Sequence, residues 1–423
     1  MIGRDVLADS GRKLALVKGL PPGTTTSLDA LASAGWNVLR GATGMPVALL
    51  RQTSLQRNLA TMAQFCRDQR VVLAPHVKTH MSAELMHLQL GAGAWGATVA
   101  VPHQLEVVLA AGARRVIVAN EITDPRALAW IAERCAADPA LEIYWYVDSL
   151  AGVRLAEQAF SHSGVRGRVV LEMGHAGGRT GVRHASGARE IALAVQASPA
   201  LELAGAGGYE GTIGHDRHPD TLGRVAEFLR LLREVARQCH DDGLLRRGAL
   251  ITAGGSAYFD QVARELGDLR ESDGDLIVLR SGCYLTHDSE HYEELSPDNV
   301  AGWALDDFSP SIEIWGRVVS RPEEGKAFLN VGRRDVGFDA GLPIPLWLHR
   351  GGDTMPAAAP ADLTVTELSD QHAWLSVPAG LALDPGDLVG LGISHPCTTF
   401  DKWQLLYLAD DAYNVTGAVT THF

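Results

Sequence analysis

The chain has 423 residues, of which 46% are hydrophobic and 21% charged, a balance that predicts a globular protein with a sizeable core. Its 50 acidic and 37 basic side chains give a formal net charge of −13, which argues against nucleic-acid and membrane-surface partners. No apolar run reaches the ~18 residues needed to span a bilayer, and the N-terminus lacks a signal-peptide core. The scattered cysteines fit a reducing compartment, so we expect a cytoplasmic protein.

Residues 1–44 contain no clear element and form an extension that we expect to pack on a C-terminal domain. Between residues 45 and 298, short β-rich runs alternate with stretches of helical periodicity. The runs are 71–75, 94–100, 115–120, 142–148, 168–173, 203–209, 249–253 and 275–281. Eight such units in about 240 residues match the size of a (β/α)8 TIM-type barrel. An open, doubly wound sheet is the alternative, because periodicity alone does not show closure.

The character of the chain changes after residue 298. The short runs 311–319, 326–331, 363–368 and 371–377 are separated by Pro, Gly and Asp turns. This pattern predicts a β-domain over residues 299–423, with a surface loop at 351–360. The predicted fold class is therefore α/β, a barrel followed by a C-terminal β-domain.

A lysine follows the first barrel run. Barrel enzymes place their active sites at the C-terminal ends of the strands, where Lys78 stands between His76 and His80. A lysine there can serve as a Schiff-base amine if burial or neighbouring cations lower its pKa. The alternative is an ordinary solvent-facing lysine.

Glycine-bearing turns follow the seventh and eighth runs. They contain Gly254-Gly255-Ser256 and Gly282-Cys283. Backbone N–H groups in such turns can hold a phosphate, and barrel enzymes often place a phosphate site after these two strands. A phosphate site together with Lys78 suggests pyridoxal phosphate, which needs an amine partner and a phosphate anchor.

Two further strand ends carry polar groups. Arg179 follows the fifth run and could stabilise the phenolate oxygen of this cofactor, while Tyr209 follows the sixth and could face its ring. A surface arginine and a tyrosine capping the core are the alternatives.

A possible metal pair lies in the β-domain. His395 and Cys397 are separated by one residue, so in an extended segment both side chains point to the same face. Imidazole and thiolate suit zinc, and two protein ligands leave positions for water and substrate. A lone His-x-Cys can also be accidental; here it accompanies the barrel-mouth residues.

Four stretches together resemble the D-serine dehydratase and D-threonine aldolase family, of the alanine-racemase-like fold type III of pyridoxal enzymes. They are Pro-His-Val-Lys-Thr-His, Tyr-Glu-Gly-Thr, Gly-Gly-Ser and Ser-His-Pro-Cys-Thr-Thr-Phe-Asp-Lys-Trp. The resemblance runs from about Met45 to the C-terminus.

The resemblance implies a role for each candidate residue. Lys78 becomes the Schiff-base lysine and the base that removes the substrate α-proton. The phosphate lies against Gly254, Gly255, Ser256, Gly282 and Cys283, mainly through backbone N–H groups. Arg179 comes near the cofactor phenolate and Tyr209 near the pyridine nitrogen, and a metal binds at His395 and Cys397.

The resemblance also implies a reaction. The dehydratase branch has His and Cys with zinc, whereas the aldolase branch typically has Asp in second place, so Cys397 favours dehydration. The expected function is a zinc- and pyridoxal-phosphate-dependent D-serine dehydratase, a carbon–oxygen lyase that forms a 2-oxo acid and ammonia from a β-hydroxy D-amino acid. The resemblance further implies a homodimer.

Several alternatives stay open. The same site could run a D-threonine or 3-hydroxy-D-aspartate aldolase reaction, and a divalent metal other than zinc could bind. A racemase would need no metal, so the His395–Cys397 pair argues against it. The long β-domain argues against a non-catalytic pyridoxal-phosphate carrier.

Overall fold

The N-terminal segment is ordered into short elements. The structure, a computed structural model, describes Gly11, residues 13–290, Tyr292, residues 295–297 and residues 308–423. The first elements are β1 (Leu14–Ala15), β2 (Thr25–Thr26), α1 (Leu28–Ser33) and β3 (Val47–Arg51). Ser27 caps α1, since its hydroxyl accepts a hydrogen bond from the Ala30 amide at 3.3 Å. Propensity alone did not reveal these pieces, because each is only two to six residues long.

Eight parallel strands form a barrel. They are β4 (Val72–Leu73), β5 (Ala97–Val99), β6 (Arg115–Glu121), β7 (Glu142–Val147), β8 (Gly167–Met173), β9 (Leu201–Gly208), β10 (Leu250–Ala253) and β11 (Leu276–Leu279). Along the sheet they follow chain order from β5 to β11, and β11 then pairs with β4. Backbone bonds from Trp95 to Leu73 (2.7 Å) and from Thr98 to Pro75 (2.9 Å) join the two end strands. The predicted barrel is thereby confirmed, and the alternative of an open sheet is wrong.

Helices surround the barrel. They are α2 (Gln52–Asp68), α3 (Ala83–Gly91), α4 (Pro102–Ala110), α5 (Pro125–Ala137), α6 (Leu150–Phe160), α7 (Ala185–Ala197), α8 (Pro219–Asp241) and α9 (Phe259–Asp273). Helix α8 shows why they pack inward: Val225, Phe228, Leu229 and Leu232 share one face and are all buried. Within the described part of the chain, no helix is long and apolar enough to cross a membrane.

The C-terminal domain is a β-structure, as predicted. Its elements are β12 (Ile312–Glu323), β13 (Lys326–Leu329), β14 (Ile344–His349), β15 (Ala357–Ala358), β16 (Thr364–Leu368), β17 (Ala373–Ser376), β18 (Leu388–Gly392), α10 (Pro396–Phe400), β19 (Leu405–Ala409) and β20 (Val415–Thr420). Strand β3 pairs antiparallel with β12 and parallel with β19. Residues 47–51, expected in the barrel domain of 45–298, thus belong to the β-domain sheet.

The N-terminal extension packs on this β-domain. Leu14 and Leu31 share a hydrophobic cluster with Trp315 and Tyr407 of the β-domain. The Tyr407 hydroxyl also donates a hydrogen bond to the Gly19 carbonyl at 3.0 Å. The extension therefore covers apolar surface of the β-domain on the side of strands β3, β12 and β19.

Candidate active site

Lys78 lies in a short 3-10 turn, Val77–Thr79, which follows barrel strand β4. The Thr79 amide donates to the His76 carbonyl at 3.2 Å, and His76 forms a parallel bridge with Thr98 of the next strand. These bonds attach the turn to the barrel wall. The half-buried Lys78 is thereby held at the C-terminal end of the barrel, where the sequence predicted it.

Cationic groups surround this turn. Burial is the main cause that holds the pKa of His76 well below its usual value, and the charges of Lys78, Arg280 and Arg179 lower it further. The His76 ring is therefore neutral near pH 7. Its buried Nδ1 has no hydrogen-bond partner among the described residues.

Arg280 was not predicted as a site residue. It is 4% exposed and crosses the barrel interior, where its guanidinium donates to Thr252 Oγ1 at 2.6 Å and to the Gly208 carbonyl at 2.7 Å. These bonds hold β9, β10 and β11 together at the mouth. An arginine at the end of an otherwise apolar barrel strand was the signal available in the sequence.

The glycine turn after β10 has a partner that the sequence did not reveal. The amides of Gly254 and Gly255 donate to the two carboxylate oxygens of Glu210 at 3.1 and 2.8 Å. The Ser256 hydroxyl accepts a hydrogen bond from the Cys283 amide at 3.1 Å. Three of the predicted phosphate donors are thus bound within the protein, and their role toward phosphate stays a prediction.

Ser256 and Gly282 offer the other backbone donors of the predicted cradle. For their amides the described part of the chain provides no acceptor. A Cβ on Gly282 would lie 2.6 Å from the His76 carbonyl oxygen and 2.7 Å from Thr79 Oγ1, so the turn requires glycine. The loop after β11 therefore packs against the Lys78 turn, and the Ser256–Cys283 hydrogen bond joins the loop after β10 to it.

Tyr209 and Arg179 meet at the same mouth. The Arg179 guanidinium carbon lies 4.9 Å from the centre of the Tyr209 ring, within cation–π range. Burial, followed by the Glu210 charge, raises the pKa of Tyr209 to about 12, so its phenol is neutral. The structure thus brings both predicted residues together, and their roles toward a cofactor stay predictions.

The predicted metal pair lies at the start of helix α10. His395 is the residue before the helix, and Cys397 is in its first turn, so the expected extended segment is wrong. Pro396, at the first helical position, favours this helix. The two side chains nevertheless lie close enough for each to shift the pKa of the other.

Asp339 orients His395. Its Oδ2 lies 2.6 Å from His395 Nδ1, and its Oδ1 accepts a hydrogen bond from Thr398 Oγ1 at 2.6 Å. This leaves Nε2 of His395 as the nitrogen for a metal, in the arrangement that metal-binding histidines usually show. Asp339 is 56 residues away in sequence, so no local motif indicated it.

Cys397 touches the turn that carries Lys78. Its thiol lies 3.4 Å from Thr79 Oγ1, which joins the β-domain helix to the barrel mouth. A hydrogen bond from Cys283 and then His395 hold the pKa of Cys397 well below its usual value, against the effect of burial. Burial lowers the pKa of His395, but Cys397 and Asp339 outweigh it and raise that pKa to about 9. The surroundings therefore favour the deprotonated form of Cys397 and the protonated form of His395.

An acidic cluster lies at the ends of three other barrel strands. Ligand atoms of Glu121, Asp148 and Glu172 all lie within 4.8 Å of one another. Burial, then a hydrogen bond and repulsion from Glu172, raise the pKa of Glu121 to about 9. Glu121 therefore holds a proton at neutral pH, which relieves repulsion among the three carboxyl groups. These residues were not predicted, although carboxylates at strand ends were visible in the sequence.

Two family models match separate parts of the chain. The alanine racemase N-terminal domain matches residues 50–258, and the "Putative serine dehydratase domain" matches residues 311–409. A D-threonine aldolase of Arthrobacter sp. is 26% identical over 379 residues, covering 86% of this chain and 89% of that protein.

Two solved structures share the fold. The D-threonine aldolase of Filomicrobium marinum has a TM-score of 0.77 at 24% identity, covering 92% of this chain and 97% of its own. The D-threo-3-hydroxyaspartate dehydratase of Delftia sp. HT23 has a TM-score of 0.73 at 21% identity, covering 91% and 99%. The order of the two matches along the chain agrees with a barrel followed by a β-domain. The chain belongs to the D-serine dehydratase and D-threonine aldolase family of alanine-racemase-like, fold type III pyridoxal-phosphate enzymes.

Proposed function

We propose that the protein is a pyridoxal-phosphate- and zinc-dependent D-serine dehydratase, which eliminates water from a β-hydroxy D-amino acid to give a 2-oxo acid and ammonia. The observation that carries this proposal is the contact between the metal pair and the lysine turn, with Cys397 Sγ 3.4 Å from Thr79 Oγ1. Elimination needs a base at the α-carbon and a Lewis acid at the adjacent β-oxygen. Lys78 and the His395–Cys397 pair can supply these at neighbouring positions.

The barrel mouth fits the cofactor that the family implies. Ser256 and Gly282 would hold its phosphate, Tyr209 and Arg179 would flank its ring, and Lys78 would bind its aldehyde carbon. When bound, pyridoxal phosphate supplies an electron sink that stabilises negative charge at the substrate α-carbon. The Lys78 amine can then accept the α-proton.

The donor set at helix α10 fits zinc better than magnesium or manganese, because a thiolate is a soft ligand. His395 and Cys397 would hold the ion, with Asp339 bound to Nδ1 of the imidazole so that Nε2 is left for the metal. When bound, zinc supplies a Lewis acid that offsets negative charge on the departing β-oxygen. Helix α10 also packs over the Lys78 turn and so limits the access of water to the proton-transfer site.

Aldol cleavage is the second candidate, and the comparison with the Arthrobacter sp. D-threonine aldolase favours it. The two reactions begin with the same bound amino acid. In elimination the Cβ–O bond breaks and the oxygen leaves as water. In aldol cleavage the β-hydroxyl loses its proton, the Cα–Cβ bond breaks and the β-carbon becomes an aldehyde carbonyl. Product analysis separates them.

The test is a panel of D-serine, D-threonine and 3-hydroxy-D-aspartate, with the L-isomers as controls. We expect the holoenzyme to form one pyruvate and one ammonia for each D-serine consumed, with no turnover of L-serine. Quantifying keto acid, ammonia and glycine in the same reactions checks this. Glycine and an aldehyde as main products would transfer the protein to the aldolase group.

Asp339 gives a separate prediction for the metal site. Asp339→Asn is expected to weaken zinc binding about 10–100-fold, because outer-sphere partners orient the ligating imidazole. Titration against a competing chelator measures the change. The control is Asp370→Asn, since this carboxylate is 68% exposed and pairs with Arg334 on the surface. Equal zinc affinity in the Asp339 variant and the unaltered enzyme would contradict the orienting role.

A further inference from the structure

Cys397 of the predicted metal pair lies next to a second thiol, Cys283, which belongs to the other domain. Cys283 follows barrel strand β11 and is 5% exposed, and Cys397 lies in helix α10 of the β-domain. Their sulfur atoms are 3.6 Å apart although the residues are separated by 114 positions in sequence. Neither cysteine forms a disulfide.

The sulfur–sulfur distance suits a shared metal ion. With zinc–sulfur bonds of about 2.3 Å and tetrahedral angles, two thiolates on one zinc lie about 3.8 Å apart. The observed 3.6 Å is close to that spacing. A disulfide would require a distance of about 2.05 Å.

The surroundings of Cys283 are polar for a buried cysteine. Thr79 Oγ1 lies 3.8 Å from its sulfur, and Tyr292 forms a hydrogen bond with it. A buried structural cysteine behaves as a small apolar side chain and needs no such partners. The polar contacts of Cys283 therefore suit a metal-binding thiol better than a side chain that only fills the core.

We propose that Cys283 is a third protein ligand of the zinc ion, together with His395 and Cys397. This inference rests on the proposed function for the metal. One imidazole and two thiolates form a ligand set of catalytic zinc sites, in which the fourth position stays open for water or substrate. Zinc binding replaces the proton of the Cys283 thiol, which is released to solvent.

The three ligand atoms must close around the ion. Among the described residues, only the acidic cluster has three candidate ligand atoms all within 4.8 Å of one another, so His395 has to move toward the two sulfurs. The two sulfurs already have the spacing of a bound pair. The ion would also tie helix α10 to the loop after β11, whose Cys283 amide donates to Ser256.

X-ray absorption at the zinc edge tests the ligand set in the unaltered, reduced holoenzyme. We expect two sulfur neighbours at about 2.3 Å and nitrogen or oxygen neighbours at about 2.0–2.1 Å. A single sulfur neighbour would overturn the role of Cys283. It would leave the proposed function in place, because His395 and Cys397 could still hold the ion.

Variants give an independent measurement through cobalt substitution. When cobalt replaces zinc, the absorption spectrum of Cys283→Ser is expected to lack one of the two thiolate-to-cobalt charge-transfer contributions of the unaltered enzyme. Its zinc affinity should fall by more than the ~10–100-fold cost of losing an outer-sphere partner. Cys239→Ala is the matched control, because Cys239 is also buried but lies in helix α8 away from the site. The cofactor absorption band checks that each variant retains a formed barrel mouth.

The outcomes separate the two proposals. An unchanged cobalt spectrum and zinc affinity in Cys283→Ser, or a Cys283–Cys397 disulfide in the zinc-loaded enzyme, would overturn the third ligand alone. A protein that binds no zinc would overturn the metal role in the proposed function as well. If Cys283→Ser does not fold, the X-ray absorption spectrum of the unaltered enzyme still shows whether one or two sulfur atoms bind the zinc ion.

Discussion

Replacing Lys78 with alanine is expected to abolish the covalent attachment of pyridoxal phosphate and to stop turnover. The unaltered holoenzyme should absorb at roughly 410–430 nm and yield a permanent adduct with borohydride. Lys78→Ala should show neither. Lost proton transfer alone should lower the rate about 10²–10⁴-fold.

The structure makes Lys78 the best candidate among few lysines. The chain contains five, Lys13, Lys18, Lys78, Lys326 and Lys402. Lys18 is bound to Asp335 and lies over the Trp403 ring, and Lys326 pairs with Glu323 on the surface. Lys78 follows a barrel strand at the predicted active-site end.

Peptide mapping of the borohydride-treated protein locates the modified lysine. Lys402→Ala is the control, since Lys402 pairs with Asp401 near helix α10 and should leave the adduct unchanged. An adduct on a lysine other than Lys78 would reject the assignment.

Removing the metal, by chelation or by Cys397→Ala, is expected to stop elimination from D-serine while leaving the fold and the cofactor band intact. Even with Cys283 as a third ligand, His395 and Cys397 do not reach the four protein ligands that a structural zinc site normally has. The loss of Lewis-acid stabilisation should cost several kcal/mol in the transition state. The rate should recover when zinc is returned to the unaltered enzyme but not to Cys397→Ala.

The surroundings of helix α10 explain why the variant should stay folded. Phe400 is fully buried, Trp403 Nε1 donates to the Asp335 carbonyl at 2.7 Å, and Gly337 donates to Thr399 Oγ1 at 3.0 Å. None of these contacts involves Cys397. The helix therefore keeps its anchors when the thiol is removed.

Thermal unfolding and the cofactor spectrum measure folding separately from pyruvate formation. Cys135→Ala is the control, because Cys135 is a half-buried thiol in helix α5. Cys397→Asp should lose zinc-dependent elimination and respond to manganese, since a carboxylate favours harder ions. Full pyruvate formation by the chelated enzyme would contradict the metal role.

Local pattern was enough to predict most of the architecture. Each barrel strand is a short apolar run between turns, so its existence could be recognised without knowing its neighbours. Strand order then placed Lys78 and the glycine turns at one barrel mouth, because strand ends in a barrel share a face. Closure was not predictable, since it depends on the bonds from Trp95 to Leu73 and from Thr98 to Pro75.

The helix at Pro396 shows a local signal that the prediction left unused. A one-residue spacing gives a shared face only in extended backbone, whereas proline after His395 starts a helix. Strand β3 shows the opposite case. No strand was predicted at residues 47–51, and only the pairing of β3 with β12 and β19 assigns it to the β-domain.

The sequence by itself determined the residue types, the strand order and the family resemblance of this protein. Tertiary structure alone decided which groups touch, because those contacts join positions far apart in the chain. Asp339 meets His395 across 56 residues, and Glu210 meets the Gly254 and Gly255 amides across 44 and 45. Periodicity shows which face of a helix or strand a residue occupies. It does not show which distant residue that side chain contacts, because such contacts form only when both domains have folded.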